Sequence, residues 1–343
     1  MTVSKRVYIN GRFLTKNATG VQKYALGLCK QLQIMNIDYL IIAPNGYYDN
    51  YGLQIKKTIF GGGFLWEQLF LPFYLWLHKG GILINLCNTA PLIYKNQLVT
   101  VHDLAFEKNK KWFHAFFSIW YSFLIPHLCK RAKGVITVSE FIKNEIIETY
   151  GICSDKITVI PNSIPDMVYE EERPFQFRYI FLTGVYNPRK NNLFVINLIN
   201  ELSKMDYHIV AVGDDAGIYN KLSFTQDNKL HILKYTDDRL YYTLLKHAEC
   251  LIYPSEYEGF GIPVLEGLVL GVPVLLPDMT FYHEIFGDLP LYYKQGDAES
   301  LLNKLKEINI YKTEVKDINI LKNKYNFTAS ANMLQNLINH KTK

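Results

Sequence analysis

Short runs of branched and aromatic residues alternate with helix-patterned stretches along the whole chain, which restricts the fold to parallel sheets covered by helices on both faces. In the first half, strand signals fall near 6–10, 38–43, 82–86, 97–101, 134–138 and 157–160, with helical periodicity near 20–34, 65–77, 110–131 and 139–149. Pro161-Asn-Ser-Ile-Pro165 and the acidic stretch from Asp166 to Arg173 then interrupt the alternation as an interdomain linker would. Strand signals resume at 179–183, 207–212, 230–233, 250–253, 273–276 and 291–293. With 343 residues, 49% of them hydrophobic, the chain has apolar material for two cores. The expected fold class is α/β, in two domains.

The segment Glu258-Gly-Phe-Gly-Ile-Pro-Val-Leu-Glu266 places two carboxylates around a Gly-x-Gly bend and an apolar helix start. Before it, Cys250-Leu-Ile-Tyr-Pro-Ser255 reads as a buried strand closed by Pro254. Glu258, Gly259, Phe260 and Gly261 therefore fall at a strand's carboxyl end, where open α/β sheets bind ligands. The glycines permit close backbone approach, and amides at the following helix start, around Gly261 and Ile262, suit a phosphate. Pro263 fits a first helical turn. Glu266, about one turn further in, carries a carboxylate able to accept two hydrogen bonds from a vicinal diol such as ribose. A surface turn with a glutamate drawn to the helix dipole is the plainer alternative for an isolated E-G-x-G.

Other residues are candidates by position. In Pro188-Arg-Lys-Asn191, a helix starting near Asn191 would set its amides and the Lys190 ammonium beside an anionic group. Solvated charges at a helix cap are the alternative for Arg189 and Lys190. His102 and Asp103 follow the strand-like Leu98-Val-Thr-Val101 and lie at a carboxyl edge, although a His-Asp pair also makes a hydrogen-bonded turn. Gly20 opens the helix 20–34, with Thr19 suited to cap it. Asp214 and Asp215 follow the strand ending at Val212, Asp237 and Asp238 suit the cap of a helix over 239–247, and Glu284 follows Phe281-Tyr-His.

These segments do not stand alone. Asn10-Gly-Arg-Phe13, Thr19-Gly-Val-Gln-Lys-Tyr24, Val101-His-Asp-Leu104, Val138-Ser-Glu-Phe141, Ile160-Pro-Asn162 and Gly271-Val-Pro-Val274 accompany them, in order, across nearly the whole chain. Together they resemble the retaining family 4 glycosyltransferases of the GT-B fold, including those of bacterial polysaccharide and O-antigen mannosyl transfer. The resemblance implies two Rossmann-like domains with parallel sheets facing a central cleft. Residues 1–165 would form the acceptor-side domain, 166–325 the nucleotide-sugar-binding domain, and 326–343 a helix returning toward the first domain; a plain terminal helix on the second is the alternative.

By the same resemblance, Glu258, His102 and Lys190 are the catalytic candidates. Donor binding would fall to Glu266, Arg189, Gly259, Phe260, Gly261, Ile262, Gly20, Gly184 and Asp103. The chain departs from many relatives after Gly184, where Val185 replaces an arginine; Arg189 is the nearest substitute. The implied reaction moves a hexose from a nucleoside-diphosphate sugar, of GDP-mannose or UDP-hexose type, to a saccharide acceptor, lipid-linked by preference. No metal and no cofactor beyond the sugar nucleotide as co-substrate are expected. A non-catalytic sugar-nucleotide-binding scaffold and a sugar-nucleotide epimerase of similar architecture are the rival readings.

Charge is distributed unevenly: residues 1–165 carry 18 Lys and Arg against 9 Asp and Glu, a net +9, whereas 166–343 carry 19 against 23, a net −4. A basic first half favours an anionic partner such as a membrane surface or a lipid pyrophosphate, with an ordinary solvated surface as the alternative. Nucleic acid is not expected, since no recognition motif accompanies the charge. Between Phe106 and Arg131 aromatic residues crowd at helical spacing, and 64–77 is a second apolar run. His114, Pro126 and His127 interrupt the first and Glu67, Gln68 and Pro72 the second, so neither is expected to span a bilayer. Peripheral membrane contact is the expectation, with helices buried in the first domain as the alternative. The five cysteines form no C-x-x-C pair and no Cys/His cluster, and no leader segment precedes the first strand signal, so a cytoplasmic location is expected.

Overall fold

A computed structural model describes residues 6–15, 20–46, 51–213, 227–234, 236–308 and 315–342. They divide into two units, one drawn from 1–104, 119–165 and 325–343 and the other from 105–118 and 166–324.

The first unit is built on seven strands: β1 (Val7–Asn10), β2 (Leu40–Asn45), β3 (Ile55–Gly61), β4 (Ile82–Asn85), β5 (Gln97–Val101), β6 (Gly134–Thr137) and β7 (Ile157–Val159). Their order is β3-β2-β1-β4-β5-β6-β7, and every neighbouring pair is parallel. Ile9 of β1 pairs with Ile41 on one side and Ile84 on the other. Every residue of β4, β5 and β6 is buried, as expected of parallel strands covered on both faces. Strand β3 was not anticipated. It lies at the sheet edge with one partner, and the consecutive Lys56 and Lys57 obscure any alternation.

Along this half of the chain run α1 (Gly20–Ile34), α2 (Leu71–Leu77), α3 (Ala105–Lys108), α4 (Ala115–Arg131) and α5 (Glu140–Tyr150). The stretch expected as one helix over 65–77 is a π turn, Trp66–Phe70, leading directly into α2. That expected over 110–131 begins with a separate 3-10 turn at Lys110–Trp112. Residues 105–118 group with the second unit, where Lys108 sits 5.9 Å from the Tyr257 ring centre. No sequence signal announces that excursion.

The second unit contains β8 (Tyr179–Thr183), β9 (His208–Val212), β10 (Leu230–Leu233), β11 (Cys250–Ile252), β12 (Val274–Pro277) and β13 (Leu291–Tyr293). They form an all-parallel sheet in the order β10-β9-β8-β11-β12-β13. Its helices are α6 (Asn192–Ile196), α7 (Ile199–Lys204), α8 (Asp238–Lys246), α9 (Ile262–Val269), α10 (Thr280–Phe286), α11 (Ala298–Glu307) and α12 (Val315–Lys324). Ile180, Leu182, Ile209, Ile252 and Leu275 centre the core of this unit.

The last helix, α13 (Phe327–Thr342), belongs to the first unit. Its Ala331, Leu334 and Leu337 share one core with Leu28 and Leu32 of α1. Contact is close because Gly27 has no side chain: a Cβ there would fall 2.1 Å from the Phe327 ring. Among the described residues no helix is long and apolar enough to cross a membrane.

Strand order reverses between β1 and β4 in the first sheet and between β8 and β11 in the second. The crevice at the carboxyl ends of two such strands is open to a ligand because their connections leave in opposite directions.

Candidate active site

In the second unit, the segments following β8 and β11 meet at that reversal. After Thr183 the chain turns at Gly184, with φ of 70°, and a Cβ there would lie 3.1 Å from the Lys190 side chain. Asn187 Oδ1 then accepts from the Arg189 amide at 3.1 Å, closing a single 3-10 turn over Pro188–Lys190. Asn191 adopts a left-handed conformation, φ 50°, which separates this turn from α6. The expected helix start near Asn191 is thus a turn followed by a helix of five residues.

Facing the turn, the segment after β11 supplies Tyr253, Ser255 and Glu258. Glu258 Oε1 accepts from Ser255 Oγ at 2.5 Å, from Lys190 Nζ at 2.6 Å and from the Tyr253 hydroxyl at 3.1 Å. Its Oε2 lies 3.2 Å from Arg189 Nη1, which also donates to the Tyr257 carbonyl at 2.7 Å. The Lys190 ammonium contacts the Tyr253 hydroxyl and stands 4.5 Å from the centre of that ring. Glu258 is buried. Burial alone would raise its pKa, but the charges of Arg189 and Lys190, with hydrogen bonds from Lys190 and Ser255, bring it down to about 2. One carboxylate thus fixes two cations, leaving a cluster of net single positive charge held in a preorganised geometry.

Glu266 lies on α9, which begins after Gly261 at φ 93° with Pro263 in its first turn. Its Oε2 accepts from Tyr241 at 3.1 Å and its Oε1 from Tyr242 at 2.9 Å. Both tyrosines belong to α8, whose cap is Asp237, accepting from the Leu240 amide at 2.7 Å. The Phe260 ring is buried edge-on against Phe286, their centres 6.2 Å apart.

In the first unit, His102 follows β5 and is buried. Its Nε2 lies 2.9 Å from the Leu86 carbonyl, its amide donates to Asn88 Oδ1 at 2.7 Å, and its ring meets Tyr24 edge-on at 5.0 Å. Burial lowers its pKa, opposed by the Leu86 hydrogen bond and the Asp103 charge, so the ring favours the neutral form.

Two family models meet end to end on this chain: Glycosyltransferase Family 4 matches residues 18–168 and Glycosyl transferases group 1 matches 169–317. The chain is a family 4 glycosyltransferase of the GT-B fold. It is 29% identical to the O-antigen chain mannosyltransferase RfbU of Salmonella typhimurium over 264 residues, covering 73% of this chain and 70% of the relative. A crystallised glycosyltransferase from Rickettsia africae superposes with a TM-score of 0.70 at 16% identity, covering 99% of both chains. The Anabaena protein HepE, solved in complex with UDP-glucose, does so with 0.70 at 13% identity, covering 97% of this chain and 99% of its own.

In this glycosyltransferase, Arg189, Lys190 and Glu258 form one bonded cluster, Glu266 is held separately by α8, and Gly20, His102 and Asp103 belong to the first unit. Gly20 is the first residue of α1, while Thr19, Asp214 and Asp215 lie outside the described residues. Glu284 is exposed on α10. Among the described residues no group of three or more His, Cys, Asp or Glu side chains could hold a metal ion.

Two sets of polar residues escaped sequence reasoning. One is the Tyr241–Tyr242 pair. The other lies at the β1–β4 reversal, where Glu67, from the π turn, takes Arg12 Nη1 at 2.6 Å, Asn10 Nδ2 at 2.8 Å and Thr89 Oγ1 at 3.0 Å, while Asn10 also donates to Asn85 at 2.9 Å. An acid inside an otherwise apolar run was the available signal for Glu67.

Proposed function

We propose that this glycosyltransferase moves a hexose, with retained anomeric configuration, from a nucleoside-diphosphate sugar to a saccharide acceptor carried on a lipid, in the synthesis of an O-antigen-like surface polysaccharide. The observation that carries the donor half is the preorganised Arg189–Lys190–Glu258 cluster at the β8–β11 reversal, with a doubly supported carboxylate, Glu266, on the helix that follows. A donor of GDP-mannose type agrees with the likeness to RfbU, named a mannosyltransferase, and one of UDP-hexose type with the UDP-glucose bound to HepE.

On this reading the net positive cluster receives the diphosphate and Glu266 accepts hydrogen bonds from the ribose diol. The bond between the anomeric carbon and the β-phosphate oxygen breaks, its electron pair passing to that oxygen, where positive charge stabilises it. The acceptor hydroxyl attacks the same face of the sugar and gives its proton to the departing phosphate. Glu258, ionised and engaged by two cations, holds Lys190 and Arg189 in place. His102, neutral at pH 7, offers hydrogen bonding to the transferred sugar. Positive charge on the leaving group comes from side chains, so the reaction is proposed to proceed without a divalent ion or further cofactor, at the cytoplasmic face of a membrane.

The test is to incubate the protein with GDP-mannose or UDP-hexoses and a lipid-linked saccharide, and to follow nucleotide release and the anomeric proton of the product. Acceptor-dependent release with an α-linked product from an α-linked donor supports the reading. Inverted configuration overturns the mechanism, and nucleotide binding without transfer to any acceptor favours a binding scaffold.

A further inference from the structure

The acidic stretch from Asp166 to Arg173, which opens the longer part of the second unit, is fastened to α8. Three groups of one residue, Glu170, carry the attachment. Its amide donates to Thr243 Oγ1 at 2.9 Å, its carbonyl accepts from His247 Nε2 at 2.9 Å, and its carboxylate lies 2.5 Å from Arg239 Nε. A carbonyl only accepts, so His247 presents its N–H at Nε2. Arg239, Thr243 and His247 recur every four positions, the spacing that lines up side chains on one face of a helix. The three contacts are unequal. Both side chains of the Glu170–Arg239 pair are more than half exposed, which leaves that ion pair little net worth. Thr243 is buried, and its hydroxyl in turn donates to the Arg239 carbonyl at 2.7 Å.

The same helix holds the carboxylate assigned to the donor. Tyr241 and Tyr242, directly before Thr243, donate to Glu266 on α9. Lys246 makes a second tie: its Nζ donates at 3.0 Å to the carbonyl of Leu270, which ends α9, and stands 5.6 Å from the ring centre of Tyr169, the neighbour of Glu170. Residues 169–173, α8 and α9 are thus bonded in series. Hydrogen bonds of about 3 Å weaken steeply when stretched or bent, so α8 cannot shift against α9 without loosening Glu266.

We infer that Glu170, Thr243 and His247 are positioning residues for donor binding: attachment of the linker to α8 sets the helix that orients Glu266, so that linker docking and nucleotide affinity are coupled. The inference rests on the proposed role of Glu266 at the donor and deepens it. None of the three is assigned a contact with the nucleotide; they act through Tyr241, Tyr242 and Glu266. Coupling of this kind is reciprocal: where a docked linker tightens nucleotide binding, bound nucleotide tightens linker docking by the same factor. A contact that merely held the chain down would lack the second half.

The experiment reads both directions on the full chain. Hydrogen exchange of the Glu170 amide is followed by mass spectrometry of peptides spanning 166–173, without nucleotide and with saturating GDP or UDP, whichever of the two binds in titration calorimetry. Bound nucleotide is expected to slow that exchange about fivefold. Thr243→Val, close in shape, removes the acceptor for the Glu170 amide and is expected to raise the Kd of the same nucleotide about two- to tenfold. Thr243→Ser keeps a hydroxyl and should return the Kd toward the wild-type value. His247→Ala, at the end of α8, provides an independent change in the same direction, and circular dichroism establishes that each variant is folded. Equal impairment by Thr243→Val and Thr243→Ser would reduce this position to packing and overturn the inference. So would folded Thr243→Val and His247→Ala that both keep the wild-type Kd, or exchange at Glu170 that is the same with and without bound nucleotide. A wild type that binds neither GDP nor UDP fails differently: it overturns the donor reading, and this inference with it.

Discussion

The hydroxyl of Tyr242 donates a hydrogen bond of 2.9 Å to Glu266, while its neighbour Tyr241 donates to the other oxygen of the same carboxylate. Two adjacent residues of α8 thereby fix the orientation of an acidic side chain on α9. Burial raises the pKa of both phenols, reinforced by the charge of Glu266, so they stay protonated and remain donors.

Removing one of these hydroxyls is expected to loosen the carboxylate without emptying the site. Tyr242→Phe keeps the ring, and the loss of one hydrogen bond should weaken nucleoside-diphosphate binding by about two- to tenfold. Transfer at saturating donor should change little, because the hydroxyl acts through Glu266. Titration calorimetry and donor-dependent kinetics check this; unchanged affinity would leave the tyrosines a packing role.

Stability should depend on acid through Glu258. Its folded-state pKa, about 2, lies below the ordinary 4.5. As pH falls, the unfolded chain takes up the proton first, so the contribution is present in full above about 4.5 and is lost on the way down to about 2, amounting to ~3 kcal/mol. Glu258→Gln removes this dependence and leaves Lys190 and Arg189 without a counter-charge. Denaturant titrations from pH 7 to 2.5 should show the variant less stable at neutral pH and less steeply destabilised by acid.

The first unit offers a similar test at a different reversal. Arg12→Ala would strand the carboxylate of Glu67, 1% exposed, and should lower stability by about 3 kcal/mol, moderated by the hydrogen bonds from Asn10 and Thr89. Adding Glu67→Gln to the same protein should recover part of the loss. No recovery in urea unfolding would show that Arg12 acts mainly through packing.

Gly27→Ala addresses the seat of the last helix. The new methyl would meet the Phe327 ring, and overpacking of this kind destabilises by about 1–3 kcal/mol. Phe327→Leu in the same chain should relieve much of that, as read from the thermal midpoint.

Much of this architecture was legible because parallel strands buried on both faces leave apolar runs such as Leu83-Ile-Asn85 and Leu98-Val-Thr-Val101 that no loop resembles. Edge strand β3 lacked that mark. Glu258 and Glu266 could be singled out because the intervening glycines and Pro263 restrict the local backbone. Their partners could not: Lys190 reaches Glu258 across 68 positions, and Tyr241 reaches Glu266 across 25, through pairings that only the strand order creates. Arg12 and Glu67, 55 positions apart, were hidden in the same way. Local chemistry shows in a sequence, whereas the partner of a buried charge depends on topology.

The donor site is the centre of this account, and nucleotide binding tests it most directly. Thermal midpoints of the wild type and Glu266→Gln would be measured with GDP, UDP, ADP and the corresponding sugar nucleotides. One base should raise the wild-type midpoint selectively, and the same nucleotide should give a much smaller shift in the folded variant. A wild type stabilised by none of them, or a variant that responds as strongly as the wild type, would contradict the assignment of Glu266 and of the cluster beside it.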